Sequence, residues 1–304
     1  VSPWSIDSRG ADLNIGIGTR EVAVGPRRPR WMPTSKPASP AGSGSVPMPE
    51  TQWFTQAGVF DALRAALEPA PDSDVPQAPP VPSRTRGAHI VLDDFWGNHA
   101  ILRGDFRTLR AREVDEIARA HFVDMYGVDG ETVAVRTCMQ RGGRAMFASA
   151  LPRALVDGMG EASASAGARM LAVKLCLPEM LNRTLPQMPR ANALVVFAAD
   201  ALIQAVLIEA GGWACYDAQR LFAGDACDPA KVTLLAEQAF ERCAERTTLK
   251  REDCALGFFG CGIATDLAAL QARFASVTTL AAPNACQAPE GGDSLAHHLL
   301  EYAQ

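Results

Sequence analysis

The stretch ALVVFAADALIQAVLIEAGGW, residues 193–213, holds two apolar runs on either side of Ala199-Asp200-Ala201. It reads as two buried strands around a tight turn. The first run, Leu194 to Ala198, contains no acid, and Asp200 stands at the turn itself. A third strand, WACYDAQRLF, follows directly. A helix comes next, DPAKVTLLAEQAFERCAER, with Asp228 at the N-cap, Pro229 at the first helical position, and an inward stripe of Val232, Leu235, Ala236, Ala239, Phe240 and Cys243. CALGFFGCG is then an apolar strand ending in glycines, ATDLAALQARF a helix, VTTLAAP a last strand and DSLAHHLLEY a terminal helix.

Working back towards the N-terminus, the same grammar appears. LNIGIGTREVAVG is a hairpin in which Leu13, Ile15 and Ile17 alternate and Gly18-Thr19 permits the turn. WFTQAGVFDALRAALE is a helix with Phe60, Leu63 and Leu67 on one face, expected to dock on the core. Two Pro/Ser/Gly-rich segments bracket it, 33–52 and 69–87, and their composition predicts mobile, exposed loops. The arginine run Arg27 to Trp31 reads as a solvated loop. HIVLDDFWGNHAILRG is strand, turn and strand. AREVDEIARAHFVDMYG is an amphipathic helix with Val114, Ile117, Ala118, His121, Phe122 and Met125 on the apolar face, stopped by Gly127. Two strands follow, ETVAVRTC and GRAMFASA, then a helix with Leu155 and Met159 inward, a strand RMLAVKLCLP ending at its proline, and the short helix PEMLNRTL.

Composition sets limits. The chain has 304 residues, 48% of them hydrophobic and 21% charged, which suits a globular α/β protein. A net charge of -5 gives no general attraction to nucleic acid or anionic lipid. No apolar run reaches the roughly 18 residues that span a bilayer, and VSPWSIDSRGADLN lacks the apolar core of a signal peptide. The first residue is Val, so the numbering can begin inside a longer product. The eight cysteines form no C-x-x-C pair, and we read them as small hydrophobes in a reducing cytoplasm rather than as disulfides or zinc ligands.

Catalytic motifs are sparse. G-x-S-x-G, H-E-x-x-H and the Walker pattern are absent, and none of the four lysines follows a glycine loop. His121 reads as a packed core histidine. His297 and His298 point about 100° apart on a helix and read as a solvated pair. Two glycine-bearing turns remain, Gly16-Ile17-Gly18-Thr19 and Gly257 to Gly262. Such turns let backbone N–H groups approach an anion, and they serve equally as plain tight turns.

With the hairpin at 193–209, these turns follow the order of the first phosphate turn, second phosphate turn and adenosine turn in the fold of actin, sugar kinases and heat-shock chaperones. The chain resembles the actin-like proteins of bacterial type IV pilus assembly (the PilM family) and the cytoplasmic domain of type II secretion protein L (GspL), over residues 12 to 283. The segments that carry the resemblance are HIVLDDFWGNHAILRGDFRTL, AREVDEIARAHFVDMYG, FASALPRALVDGMGEASASAGARMLAVKLCLPEML, ALVVFAADALIQAVLIEAGGW and ALGFFGCGIATDLAALQARF.

The resemblance implies a two-lobed α/β fold of the duplicated ribonuclease H-like kind with mixed sheets. Residues 12–185 would form the first lobe. Residues 186–304 would form the second with its C-terminal helix, after a disordered N-terminus at 1–11. Nucleotide-binding members place a carboxylate at the end of the first strand of each phosphate hairpin, where it orients magnesium. Here the comparable positions, near Gly16 and Phe197, carry none. The Ser or Thr of the second turn is missing too, and GFFGCG keeps part of the adenosine pattern.

The nucleotide site is therefore expected to be degenerate, without a cofactor. The chain would act as a non-catalytic scaffold in the cytoplasm at the inner membrane, bound to a pilus or secretion platform protein or to the assembly motor ATPase. Under the alternative, an ATPase or kinase of this fold, Gly16, Gly18, Thr19, Asp200, Gly260 and Gly262 would face Mg-ATP. A third reading is an α/β protein of unrelated function.

Overall fold

A computed structural model describes residues 12–27, 44–68, 86–184, 191–199, 201–222, 224–280 and 295–303. The segment 1–11 and most of both Pro-rich segments lie outside the described residues, as does Asp200. In chain order the first half comprises β1 (Leu13–Ile17), β2 (Glu21–Pro26), β3 (Gly44–Pro47), α1 (Gln56–Leu67), β4 (Arg86–Leu92), β5 (Asn98–Arg103), α2 (Ala111–Tyr126), β6 (Val133–Met139), β7 (Ala145–Pro152), α3 (Arg153–Ser165), β8 (Ala168–Leu175) and α4 (Cys176–Thr184). The second half comprises β9 (Ala193–Ala199), β10 (Leu202–Glu209), β11 (Gly212–Arg220), α5 (Pro229–Ala244), β12 (Ala255–Cys261), α6 (Leu267–Gln271), β13 (Ser276–Thr279) and α7 (Leu295–Tyr302).

The two halves build the same sheet. In the first the strand order is β3-β2-β1-β4-β8, and in the second it is β11-β10-β9-β12-β13. Both are a three-stranded antiparallel meander joined by its first strand to two parallel strands: Ile15 lies opposite Val24 and Ile90, and Val196 opposite Ala205 and Phe258. Parallel neighbours require a crossover, and a helix supplies it each time, α1 before β4 and α5 before β12. A third, antiparallel sheet, β5-β7-β6, is inserted in the first half. The strand, turn and strand of residues 89–104 are therefore two strands in different sheets.

Side-chain alternation sorts the core into layers. Ile15 and Ile17 of β1 pack with Ile90, α1 and α3 on the outer face of the first sheet. Leu194 and Val196 of β9 pack with Val232, Leu235, Ala236 and Phe240 of α5 on the outer face of the second. Between the sheets lie α4 and α7, in a cluster that joins Val91 to Val195, Phe197 and Phe259. Helix α5 starts as the sequence prescribes, with the Asp228 carboxylate accepting from the amides of Ala230 and Lys231 and Pro229 at the first position.

Five expectations change. Residues 44–47, inside the Pro-rich segment, form edge strand β3 on β2, and Met48 is buried. An edge strand needs only backbone partners on one side, so composition gives no warning of it. Helix α2 packs through Val114, Ala118 and Phe122, while Ile117 and Met125 on the neighbouring stripe are exposed. Helix α4 begins at Cys176, ahead of Pro178, because a proline in the first turn costs no intrahelical hydrogen bond. Gly257 and Gly260 lie inside β12, and only Gly262, with φ 64°, is in the turn beyond. His297 and His298 are buried, since α7 is covered on all sides.

Candidate functional site

The fold brings three chain segments towards one place between the lobes: the β1–β2 hairpin, the β9–β10 hairpin and the C-terminal end of β4. Strand β1 presents Asn14 and Gly16 on the face away from Ile15 and Ile17, and α7 lies against that face. A Cβ at Gly16 would overlap the carbonyl oxygen of Ala296 and sit 2.8 Å from Leu299 Cβ. Asn14 Nδ2 donates to Leu300 O at 3.4 Å, and Arg183 Nη2 of α4 donates to Glu301 O at 2.6 Å while its guanidinium covers the Tyr302 ring at 4.7 Å. Two carbonyls of the last turn of α7 thus find donors on other elements.

Towards the other lobe, Leu295, Leu299 and Tyr302 join the cluster of Phe197 and Phe259, and His298 meets the Phe259 ring edge-on at 6.3 Å. The two positions that resemblance assigns to magnesium carboxylates are therefore a glycine in close contact with α7 and a phenylalanine packed beside it. Gly18 lies in the β1–β2 turn with its amide donated to Glu21 O at 3.0 Å, and its carbonyl accepts from Trp96 Nε1 at 3.0 Å. Thr19 is fully buried there. Gly260 is an exposed strand residue opposite Ala198, in the other lobe from Gly16 and Gly18. Helix α7 stands between the two sets.

Between the β9–β10 hairpin and the turn after β4 lies a cavity of ≈ 20 Å³, walled by Asp94, Phe197, Ala199, Gln204, Phe259 and Leu295 among others. That volume admits about one water molecule.

On its wall is a polar cluster that the sequence reading missed. The buried Asp94 carboxylate faces His99 Nε2 at 2.8 Å and accepts from the Leu177 amide at 2.8 Å and from Gln204 Nε2 at 3.1 Å. His99 Nδ1 lies 2.8 Å from Ser149 Oγ, and Tyr216 OH donates to Gln204 Oε1 at 2.9 Å. One carboxylate, in the turn after β4, thereby joins the inserted sheet, the first turn of α4 and the second lobe. Burial, reinforced by the Asp94 charge, pushes the Tyr216 phenol and the Cys176 thiol well above their ordinary pKa values. A signal existed in HIVLDD: two carboxylates directly after a buried run, at the C-terminal end of a parallel strand, where sites form in α/β sheets. Among the described residues no group of three or more His, Cys, Asp or Glu side chains is arranged to hold a metal ion.

No protein-family profile and no curated protein matches the chain in sequence. Solved structures do match in shape. A Bacteroides thetaiotaomicron protein of actin-like ATPase fold and unknown function superimposes with a TM-score of 0.54 at 10% identity, over 92% of this chain and 94% of that one. A chain of the PilM–PilN type IV pilus biogenesis complex superimposes with a TM-score of 0.55 at 15% identity, over 90% of this chain and 88% of that one.

The fold is actin-like.

The cytoplasmic domain of EpsL, an inner-membrane component of the Vibrio cholerae type II secretion system, overlaps at a TM-score of 0.48 and 10% identity. That is too loose to add to the assignment. Within an actin-like frame, the duplicated sheets are the two lobes, the β5-β7-β6 sheet is an insertion in the first, and α7 lies in the space between them.

Proposed function

We propose that this protein is a non-catalytic actin-like scaffold of a bacterial type IV pilus or type II secretion inner-membrane platform. In this role it stays in the cytoplasm, held at the membrane by a partner, and binds that partner's cytoplasmic segment or the assembly motor ATPase. Among the described residues no helix is long and apolar enough to cross a membrane.

One observation carries the non-catalytic part of this reading: Gly16 is in close contact with α7. A carboxylate on β1 at that point has no room, because even a Cβ there would overlap the Ala296 carbonyl and crowd Leu299. Gly16, Gly18, Thr19, Gly260 and Gly262 then serve turns and packing. The partner part takes its support from the likeness to a chain of the PilM–PilN type IV pilus biogenesis complex.

The nucleotide reading makes the opposite prediction, and thermal unfolding with and without Mg-ATP separates the two. A ligand at 100 times its Kd adds about 2.7 kcal/mol, which for a chain of this size raises Tm by about 5 °C. The scaffold reading expects no shift at millimolar Mg-ATP, together with recovery of pilus or secretion components when the tagged protein is isolated from its native cells. A clear shift would restore the enzyme reading.

A further inference from the structure

Where the two lobes meet, two arginines lie over aromatic rings that border the first-lobe core. Arg20, in the β1–β2 turn, lies over the Trp53 ring at 4.8 Å and the Phe54 ring at 5.9 Å. Phe54 contacts Phe95 at 5.1 Å, and Phe95 contacts Trp96 edge-on at 5.4 Å. Arg220, the last residue of β11, lies over the other end of this chain, 4.8 Å from the Phe95 ring. The result is a continuous ladder, Arg20–Phe54–Phe95–Arg220, that starts in the first lobe and ends in the second.

Three properties set it apart from ordinary surface. Both arginines are exposed, and among the described residues neither has a carboxylate within ion-pair distance, in a chain whose net charge is -5. Stacking on ring faces fixes the guanidinium planes while leaving their edges free to donate, which lowers the ordering cost of binding a carboxylate bidentately. Phe54 is held at φ 59°, a conformation costly for a large side chain, by donating its amide to Thr19 O at 3.2 Å, yet the residue is 39% exposed. An open groove of ≈ 260 Å³ runs beside Arg20 and Gly18, lined also by Glu21, Pro47, Met48, Trp53, Leu295 and Ala296. The ladder is cationic at its two ends and aromatic between them, and Glu21 lies in the groove beside Arg20.

We propose that this ladder is a docking site for an acidic segment of a partner protein, one that carries an aromatic or aliphatic side chain between carboxylates. Charge complementarity names the partner's chemistry: two fixed forks facing Asp or Glu, and a mixed groove for the side chain between them. Because one arginine comes from each lobe, the bound segment also ties the lobes together. The inference rests on the scaffold reading and refines it by giving the recognised chemistry.

The test selects a phage-displayed library of random twelve-residue peptides on the full chain and, in parallel, on the Arg20→Glu/Arg220→Glu and Arg20→Gln/Arg220→Gln double variants, each checked for native circular dichroism. Selected peptides are expected to be enriched in Asp and Glu around an aromatic or aliphatic residue. Synthetic copies are expected to bind the wild-type chain at least tenfold more tightly than either variant, with affinity falling as salt is raised. An unbiased or basic pool, or equal affinity for wild type and both variants, overturns the proposal. So does displacement of the peptides by millimolar Mg-ATP, which would turn the arginines towards phosphate. An overturned result without an ATP-induced thermal shift leaves the scaffold reading standing, so the two failures are distinguishable.

Discussion

A glycine inside a strand ordinarily weakens it, and at Gly16 the reason for keeping one is steric: the Ala296 carbonyl occupies the place of a side chain. Gly16→Ala is expected to destabilise the protein by about 3 kcal/mol or more, and Gly16→Asp by more again, read as a lowered urea midpoint. An unchanged midpoint for Gly16→Ala would mean that α7 is not seated there. A second residue-scale prediction concerns the β10–β11 hairpin. Its two-residue turn holds Ala210 at φ 49° and Gly211 at φ 77°, so the alanine pays for a conformation that asparagine adopts readily. Ala210→Asn is expected to raise stability by about 0.5–1 kcal/mol. At this scale the sequence was readable where the cause is local. The Asp228 cap and the Gly127 helix stop follow from neighbours a few positions away. Gly16 was read as a turn glycine because its contact lies at the far end of the chain.

Among elements, α7 and the Asp94 cluster do the joining. Asp94→Ala would leave the Leu177 amide, His99 and Gln204 facing an empty space. The expected cost is about 3 kcal/mol or more, with near-ultraviolet circular dichroism changing around Tyr216 and Trp213. Burial, and then the neighbouring His298, hold the His297 pKa below its ordinary value of 6.5, and burial with the Arg27 charge does the same for His89. The folded protein thus resists protons that the unfolded chain accepts. Stability is full above about pH 6.5 and is lost as pH falls through that value towards the lower folded values. Unfolding midpoints measured from pH 7.5 to 5.5 are expected to decline, and His297→Leu to make the decline shallower. A midpoint that rises on acidification would reverse the sign of this account. The buried histidines were misread from sequence because DSLAHHLLEY alternates apolar and polar residues as a surface helix does. What covers its polar side is contributed by β1, β2 and the second lobe, as in the Asn14–Leu300 contact across 286 positions.

Across the whole molecule, the repeated run of strand meander, helix and strand was legible because each element announces itself locally, while the duplicated two-lobed fold was what the resemblance implied; the strand order β3-β2-β1-β4-β8 and β11-β10-β9-β12-β13 came from the structure. The inserted β5-β7-β6 sheet and the seat of α7 were not legible, since both depend on pairings that hydrophobic periodicity does not encode. The same asymmetry applies to the site. The absent carboxylates could be read from Gly16 and Phe197, whereas the side chains of the polar cluster, Asp94, His99, Gln204 and Tyr216, come from the turn after β4, from β5, β10 and β11, and meet only in the fold. The central claim is that the protein's own C-terminal helix takes the place beside Gly16 where a nucleotide site needs its carboxylate. It is tested most directly by the thermal unfolding midpoint of the full chain with and without millimolar Mg-ATP. The account expects the two midpoints to coincide. A rise of about 5 °C or more with Mg-ATP would contradict it.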